Sequence, residues 1–595
     1  MRRKSFNEYL FGTKFVGDFR MKLFKIIICL VLFGGITAGM TIYLKRDQTG
    51  KRDHTSNASE SLFPSGKNTQ PGLYPNSGNL VNIQMTGLLQ NELAKRTGSN
   101  TDRYANVVVD VESKFSYDYG IEKNNDGICL KAKDQNTAKW LINQYIRYLS
   151  INDSNIDSAN LPPMIIDLEN EPYGNFDFIY REPHFSPNLE HRFQPICGSN
   201  SVEEYWDLWG HNLLDELKEY GLGKNIYMNG NTNQICFSKQ ILLDNVTEYL
   251  NKRAASSNHR LYSRRFLIMP LDNMAACECS KCKELGNTDR YATPAVINFL
   301  DRLADRFPDY TFYTAAYHST AKPPTVQPEH PVSGVMISAS ELYSTEFNQQ
   351  KKEIDFLQTV RKWGEYSDTL FVWDYAANFN DYLTPLPVLY ALKKNLKFFR
   401  DCGIIGIFLQ GSSYDYSPFD DVKTHVATAL MINGRLDVDI LCRHYFAHFY
   451  PVSAPILADY YLSLEKTMEQ RQIPYDLHGN LGNAIDSYFI VDDFLEFYQN
   501  LKCFIADEKL SENEKKRLER LYTALSFTWL QIAFYQQTDS YNIENTHGKT
   551  ITITPETESV IEQLSQHNRH RINIYREKNG YLVNYLKYWE KYSKK

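Results

Sequence analysis

The chain has 595 residues, a net charge of −6 with both signs mixed, and 41 Tyr, 33 Phe and 7 Trp. That length exceeds one ordinary core and implies two to four domains. The absence of a basic block in the folded part argues against nucleic acid as a partner, and the aromatic surplus suits either stacking on sugar rings or an aromatic core.

The first segment, 1–46, contains an uncharged apolar run over 26–44, with Arg20, Lys22 and Lys25 before it and Lys45 and Arg46 after it. This predicts a signal-anchor or an uncleaved signal peptide. Met21 could be the true start, and Cys29 is a poor lipidation site because "KIII" before it lacks a small residue. Residues 47–77 are rich in Ser, Asn, Gly, Lys and Pro, as a flexible linker is. The expectation is an exported, membrane-anchored protein on the periplasmic or cell-surface side of a bacterial envelope. Export permits disulfides among the ten cysteines without requiring them.

Residues 78–157 predict a small α/β domain. "LVNIQMTGLLQNELAKRTG" reads as a strand leading into a helix, "ANVVVDVES" and "GICLKAK" as strands, and "QNTAKWLINQYIRYLS" as a helix. From 158 to 452, short apolar runs alternate with helices. The strand candidates are "FDFIYR", "NIYMNG", "RFLIMPL", "YTFYTAAY", "GVMISAS", "TLFVWDY" and "IIGIFLQG". The segment "SVEEYWDLWGHNLLDELKEYG" reads as one of the intervening helices. Repeated β-then-α predicts a (β/α)8 TIM-type barrel with its chemistry at the C-terminal strand ends. A doubly wound sheet is the runner-up, but no G-x-G-x-x-G loop supports it. Residues 453–595 predict a helical C-terminal domain, in which "AIDSYFIVDDFLEFYQNLKCFIA" reads as one helix starting near Asn483 and the last helix is rich in Lys and Tyr.

Three carboxylates follow predicted strands: Asp272, Glu341 and Asp374, beside Tyr317, Trp373 and Tyr375. Glycoside hydrolysis needs one group to protonate the leaving oxygen and another to stabilise or attack the anomeric carbon. The plainer reading of each is a helix cap or a loop anchor.

"LFVWDYAANFNDYLTPLPVLYALKKNLKFFRDCGIIGIFLQG", "LDNMAACECSKC", "TAAYHSTAKPP" and "ISASEL" occur in order between about 160 and 460. In that register the sequence resembles the bacterial family once labelled domain of unknown function 4838. That family looks like glycoside hydrolase family 163, with endo-β-N-acetylglucosaminidase action on N-glycans. The resemblance implies a barrel fold and retaining, substrate-assisted cleavage beside an N-acetylglucosamine of a glycan or glycoprotein. It implies Glu341 as general acid and Asp272 as the group orienting the acetamide. Asn273, Asp374, Trp373, Tyr375, Tyr317 and Asn378 would line the sugar subsite. His211 could bond a sugar hydroxyl or be a satisfied core histidine, and Gln410 could donate to a hydroxyl or merely finish a strand. One departure is Leu271, where the family's usual residue is Asn. It keeps open a different activity or substrate, or a non-catalytic glycan-binding protein on the barrel scaffold; a separate alternative is an inert platform at the envelope.

Cys277, Cys279 and Cys282 supply three thiols in one loop, and Cys236 could be a fourth. Structural zinc, two disulfides, or reduced thiols all fit. No cofactor is required for catalysis, and catalytic zinc is not expected because no open His-rich set accompanies the thiols.

Overall fold

The computed structural model describes residues 79–98, 104–124, 127–190, 192–228, 231–256, 263–325, 327–330, 332–343, 349–541, 543–544 and 551–593. The apolar run 26–44 lies outside them. Among the described residues no helix is long and apolar enough to cross a membrane.

The chain starts with helix α1 (Leu80–Thr97), strands β1 (Val107–Val111), β2 (Tyr119–Asn124) and β3 (Gly127–Ala132), and helix α2 (Gln135–Asn152). The strand predicted from "LVNIQ" is instead the first turn of α1. Asn79 caps it by accepting the Val81 N–H, and Asn82, Met85, Leu89 and Leu93 form its buried stripe at helical spacing. β1 and β3 pair in parallel, and β2 runs antiparallel to β3. The fourth strand, β4 (Tyr173–Gly174), reaches back from beyond residue 157 to pair with β2.

Among the described residues the second sheet has six parallel strands: β5 (Tyr180–His184), β8 (Arg265–Leu267), β9 (Thr311–Ala316), β10 (Gly334–Ser338), β11 (Leu370–Tyr375) and β12 (Gly406–Gln410). Their order is β5-β12-β11-β10-β9-β8, so the first strand lies beside the last and the sheet curls. Helices α3 (Gln240–Ser256), α4 (Thr293–Arg306), α5 (Gln349–Gly364), α6 (Leu389–Asp401) and α7 (Asp420–Ile432) accompany it.

Of the expected eight-stranded barrel, the described residues show a curled parallel half-barrel. Two expected elements fold differently. "NIYMNG" enters a separate antiparallel hairpin, β6 (Tyr227–Met228) with β7 (Asn231–Ile235). "SVEEYWDLWGHNLLDELKEYG" gives two short helices, Val202–Tyr205 and Leu213–Glu219, rather than one. Between them the chain is extended, and Leu208 bridges Phe266 in parallel. Trp206 turns into the sheet's concave side, where its Nε1 donates to the Tyr180 hydroxyl at 3.1 Å. Tyr180, Trp206, Leu267, Tyr313, Met336, Phe371 and Phe408 fill that side as an apolar cluster distinct from the main core. Bulky rings thus occupy the volume that further strands would enclose.

The remainder is helical: α8 (Val438–Phe449), α9 (Ala454–Arg471), α10 (Leu481–Ser487), α11 (Val491–Ile505), α12 (Glu512–Thr538), α13 (Pro555–Ser565) and α14 (Leu582–Ser593). The single helix predicted from Asn483 is two, α10 and α11, broken at 488–490. These helices hold the loop after β11. Tyr475 donates to the Tyr375 carbonyl at 2.7 Å, and the Gln531 side chain donates to buried Asp381 at 2.9 Å.

One buried group in α7 sets a pH response. His425 is buried against the Tyr445 ring, and neither ring nitrogen has a hydrogen-bond partner among the described residues. Burial, then the neighbouring His448, pushes it down to about 3. The folded protein keeps this ring neutral while the unfolded chain takes up a proton below about pH 6.5. Stability from this group is therefore full above that pH and is lost as pH falls, by about 2 kcal/mol between pH 7 and 5. Urea unfolding at both pH values should show a smaller acid loss for His425→Phe than for wild type. Equal losses would contradict this.

Candidate functional site

The C-terminal edge of the parallel sheet opens into a cavity of about 410 Å³. The strands deliver its wall by alternation. Along β11, Phe371, Trp373 and Tyr375 face the concave side, and Val372 and Asp374 face the helix layer. Trp373 and Tyr375 line the cavity together with Tyr317 after β9, Gln410 at the end of β12, and His211 and Asp272. The aromatic wall is braced from behind. Trp209 stacks on Trp373 with centroids 5.1 Å apart and planes 19° apart, and Trp373 Nε1 donates to Gln410 Oε1 at 2.7 Å.

Asp272 is the polar centre. Its carboxylate is half-exposed and accepts a hydrogen bond from the Tyr317 hydroxyl at 3.2 Å. His318 Nε2 lies 3.6 Å and His211 Nε2 4.0 Å from the same oxygen. The Pro270 carbonyl, 2.6 Å from His211 Nδ1, places that ring's proton on Nδ1, so Nε2 faces the acid as an acceptor when neutral. Burial pushes His318 down, which favours its neutral form. Burial, then the Asp272 charge, pushes the Tyr317 phenol well up; burial pushes Tyr375 up to about 12. Both phenols therefore stay protonated as donors at neutral pH. The Tyr375 hydroxyl lies 3.1 Å from Ser338 Oγ.

Glu341 sits in the single turn Ser340–Tyr343 after β10. It is exposed on the rim, next to cavity-lining Ser340, and does not itself line the cavity. Its charge and that of Asp272 both act on Tyr317 and His318.

Three expected subsite residues stand elsewhere. Asp374 is fully buried on the outer face of β11, because strand alternation turns it away from Trp373 and Tyr375. Asn273 anchors its own loop, with its Nδ2 donating to the Asn233 carbonyl at 2.8 Å and its Oδ1 accepting from Gln234 at 3.1 Å. Asn378 donates to the Gly479 carbonyl at 3.1 Å and accepts the Asn380 N–H at 3.0 Å. Both asparagines are bound to backbone and are absent from the cavity lining.

Sequence reasoning passed over His318, Ser338, Ser340, His478, Glu577 and Lys578, which all line the cavity. The first three adjoin or follow strand ends and were open to the same reasoning as Tyr317. The last three come from the helical region and carry no strand-end signal. Beside the cavity, on β5, Glu182 Oε1 lies 3.0 Å from His184 Nδ1, and His184 Nε2 lies 3.1 Å from Ser413 Oγ. The i, i+2 spacing in "YREPH" was the sign that Glu182 and His184 share a face. A larger cavity of about 860 Å³, at the opposite strand ends, is lined by Asp134, Arg181, Tyr205 and Arg265 among others and contains none of the predicted site residues.

Cys236, Cys277, Cys279 and Cys282 come together behind the Asp272 loop, and none of them is in a disulfide.

No curated protein matches the chain. Among solved structures, it is similar to a family 89 glycoside hydrolase from Clostridium perfringens in complex with its substrate GlcNAc-alpha-1,4-galactose. Identity is 10%, the TM-score 0.47, and the match covers 83% of this chain and 66% of that one. It is also similar to Streptomyces plicatus N-acetyl-beta-hexosaminidase in complex with Thio-NAglucal, at 11% identity, TM-score 0.37, and 64% and 90% coverage. A GH138 enzyme targeting pectin rhamnogalacturonan II matches at 9% identity, TM-score 0.36, and 86% and 78% coverage. Likenesses of this size carry no functional argument by themselves. The sequence match is of a different kind: residues 177–462 match the model of the family described as Domain of unknown function (DUF4838).

Proposed function

We propose that the cavity binds a glycan through an N-acetylated hexosamine and hydrolyses its glycosidic bond with retention, assisted by the sugar's own acetamide. The observation that carries this reading is Asp272, bonded to Tyr317 in a cavity walled by Trp373 and Tyr375. A volume of about 410 Å³ suits one or two sugar rings, and the ring faces suit the C–H face of a pyranose. Asp272 orients and polarises the acetamide N–H. The acetamide oxygen then bonds to the anomeric carbon as the glycosidic C–O bond breaks. Glu341, on the rim, gives its proton to the leaving oxygen. Water next attacks the anomeric carbon, opens the cyclic intermediate, and returns a proton to Glu341. The substrate class on this reading is a glycan such as an N-glycan, reached after export and anchoring through 26–44.

A second reading, a glycan-binding protein without turnover, draws on two observations. Leu271 replaces the family's usual Asn, and its side chain packs against the core while its backbone bonds Gln234 at 2.9 and 3.2 Å. Glu341 also stands outside the cavity lining. Glu341→Gln separates the two readings. Release of sugar should fall roughly a hundred- to ten-thousand-fold while binding of an N-acetylglucosamine oligosaccharide holds within about tenfold. Unchanged release would remove Glu341 from the mechanism, and binding without release in wild type would favour the second reading.

A further inference from the structure

We propose that Cys236, Cys277, Cys279 and Cys282 bind one structural zinc ion. The four Sγ atoms lie within 4.8 Å of one another, and Cys236 Sγ is 3.8 Å from both Cys279 Sγ and Cys282 Sγ. Zinc–thiolate bonds of about 2.3 Å in a tetrahedron place neighbouring sulfurs about 3.8 Å apart. A disulfide would need about 2.05 Å, and none of the four is so paired. Cys236, Cys277 and Cys282 are buried, so the cluster is a closed cage rather than a surface patch. Its surroundings are also arranged for it. The Ser238 hydroxyl lies 3.5, 3.4 and 3.1 Å from the sulfurs of Cys236, Cys279 and Cys282. Asn287 holds the loop backbone, donating to the Cys277 carbonyl and accepting the Ala295 N–H, both at 3.1 Å. Such partners orient ligands around a metal.

Four thiolates fill the tetrahedron and leave no open position, which makes the centre structural and not catalytic. Binding displaces water from the ion and releases the thiol protons to solvent. The centre would form whether or not the cavity turns over a glycan. Its consequence is mechanical: it fastens the segment carrying Asp272 to the end of β7. Gln234, two residues before Cys236, makes the second tie, accepting the Leu271 N–H at 2.9 Å and donating to the Leu271 carbonyl at 3.2 Å.

The test is elemental analysis of the full chain purified without chelator, with X-ray absorption at the zinc edge. About one zinc per chain with four sulfurs at about 2.3 Å is expected. Cys282→Ser should lose the metal, and Cys503→Ser, at an exposed cysteine far from the cluster in sequence, should keep it. If Cys282→Ser does not fold, the absorption spectrum of the wild type decides alone. A metal-free wild type with four titratable thiols, two disulfides by non-reducing mass spectrometry, or a zinc shell of nitrogen and oxygen would each overturn the proposal.

Discussion

Asp272→Asn is expected to lower turnover of an N-acetylglucosamine glycan roughly a hundred- to ten-thousand-fold, the usual range for a side chain that handles charge or protons in the transition state. The substitution keeps the shape and leaves an oxygen for the Tyr317 hydroxyl, but it removes the charge that polarises the acetamide. Because Asp272 is 54% exposed, folding should be unaffected. Tyr317→Phe is the graded control. It deletes one hydrogen bond to a charged group and leaves the carboxylate, so its loss should be smaller, roughly ten- to a hundredfold. Steady-state kinetics on the two variants measures this. Turnover by Asp272→Asn at the wild-type rate would exclude Asp272 from the chemistry.

The largest effect on stability is expected at Glu465, which does not line the cavity. Its fully buried carboxylate accepts the N–H groups of Val388, Leu389 and Tyr390 and the Tyr461 hydroxyl, at 2.8 to 3.0 Å. These are orphan donors at the start of α6, and the helix dipole favours a negative charge there. Glu465→Ala strands the buried N–H groups of Val388 and Leu389 at about 1–3 kcal/mol each, with the part-buried one of Tyr390, and opens a void beside them. A loss of about 4 kcal/mol or more follows. Glu465→Gln keeps one good acceptor and should lose about half as much. The readout is the urea midpoint of the transition that unfolds α6 and α9, followed by fluorescence. An Ala variant with the wild-type midpoint would show that other partners satisfy those groups. The effect would reach the site, because α6 closes the loop that starts at Tyr375.

These two residues mark what the sequence could and could not reveal. Asp272 was legible because it follows an apolar run, and in a parallel sheet such positions collect at one edge. Tyr317, Trp373, Tyr375 and Gln410, read the same way, stand at the cavity wall, and Cys236, at the end of the antiparallel hairpin, stands beside the other three thiols. The strand-end logic failed at Asp374, where period-two alternation outranks adjacency to Trp373 and Tyr375. It failed at Asn273 and Asn378 because an amide flanking a turn is readily captured by nearby backbone, as both are. His318, one residue after Tyr317, was open to the same logic; its backbone φ of 51° is a left-handed turn, and its Nε2 lies 3.6 Å from Asp272. Glu577, Lys578 and His478 were out of reach because only tertiary packing carries the C-terminal region over the cavity. The eight-stranded barrel is seen only in part for a related reason. Helical periodicity across residues 201–221 concealed an extended bridge at Leu208, and a two-residue strand at Tyr227–Met228 looked like a barrel strand.

The central claim is that the edge cavity cleaves glycans at an N-acetylated hexosamine. Its most direct test is incubation of the full chain with N-glycoproteins, followed by mass spectrometry of the released sugars. Free glycans should appear with wild type and disappear with Asp272→Asn. Intact glycoprotein after prolonged incubation, across a broad panel of glycans and with folded protein, would contradict it.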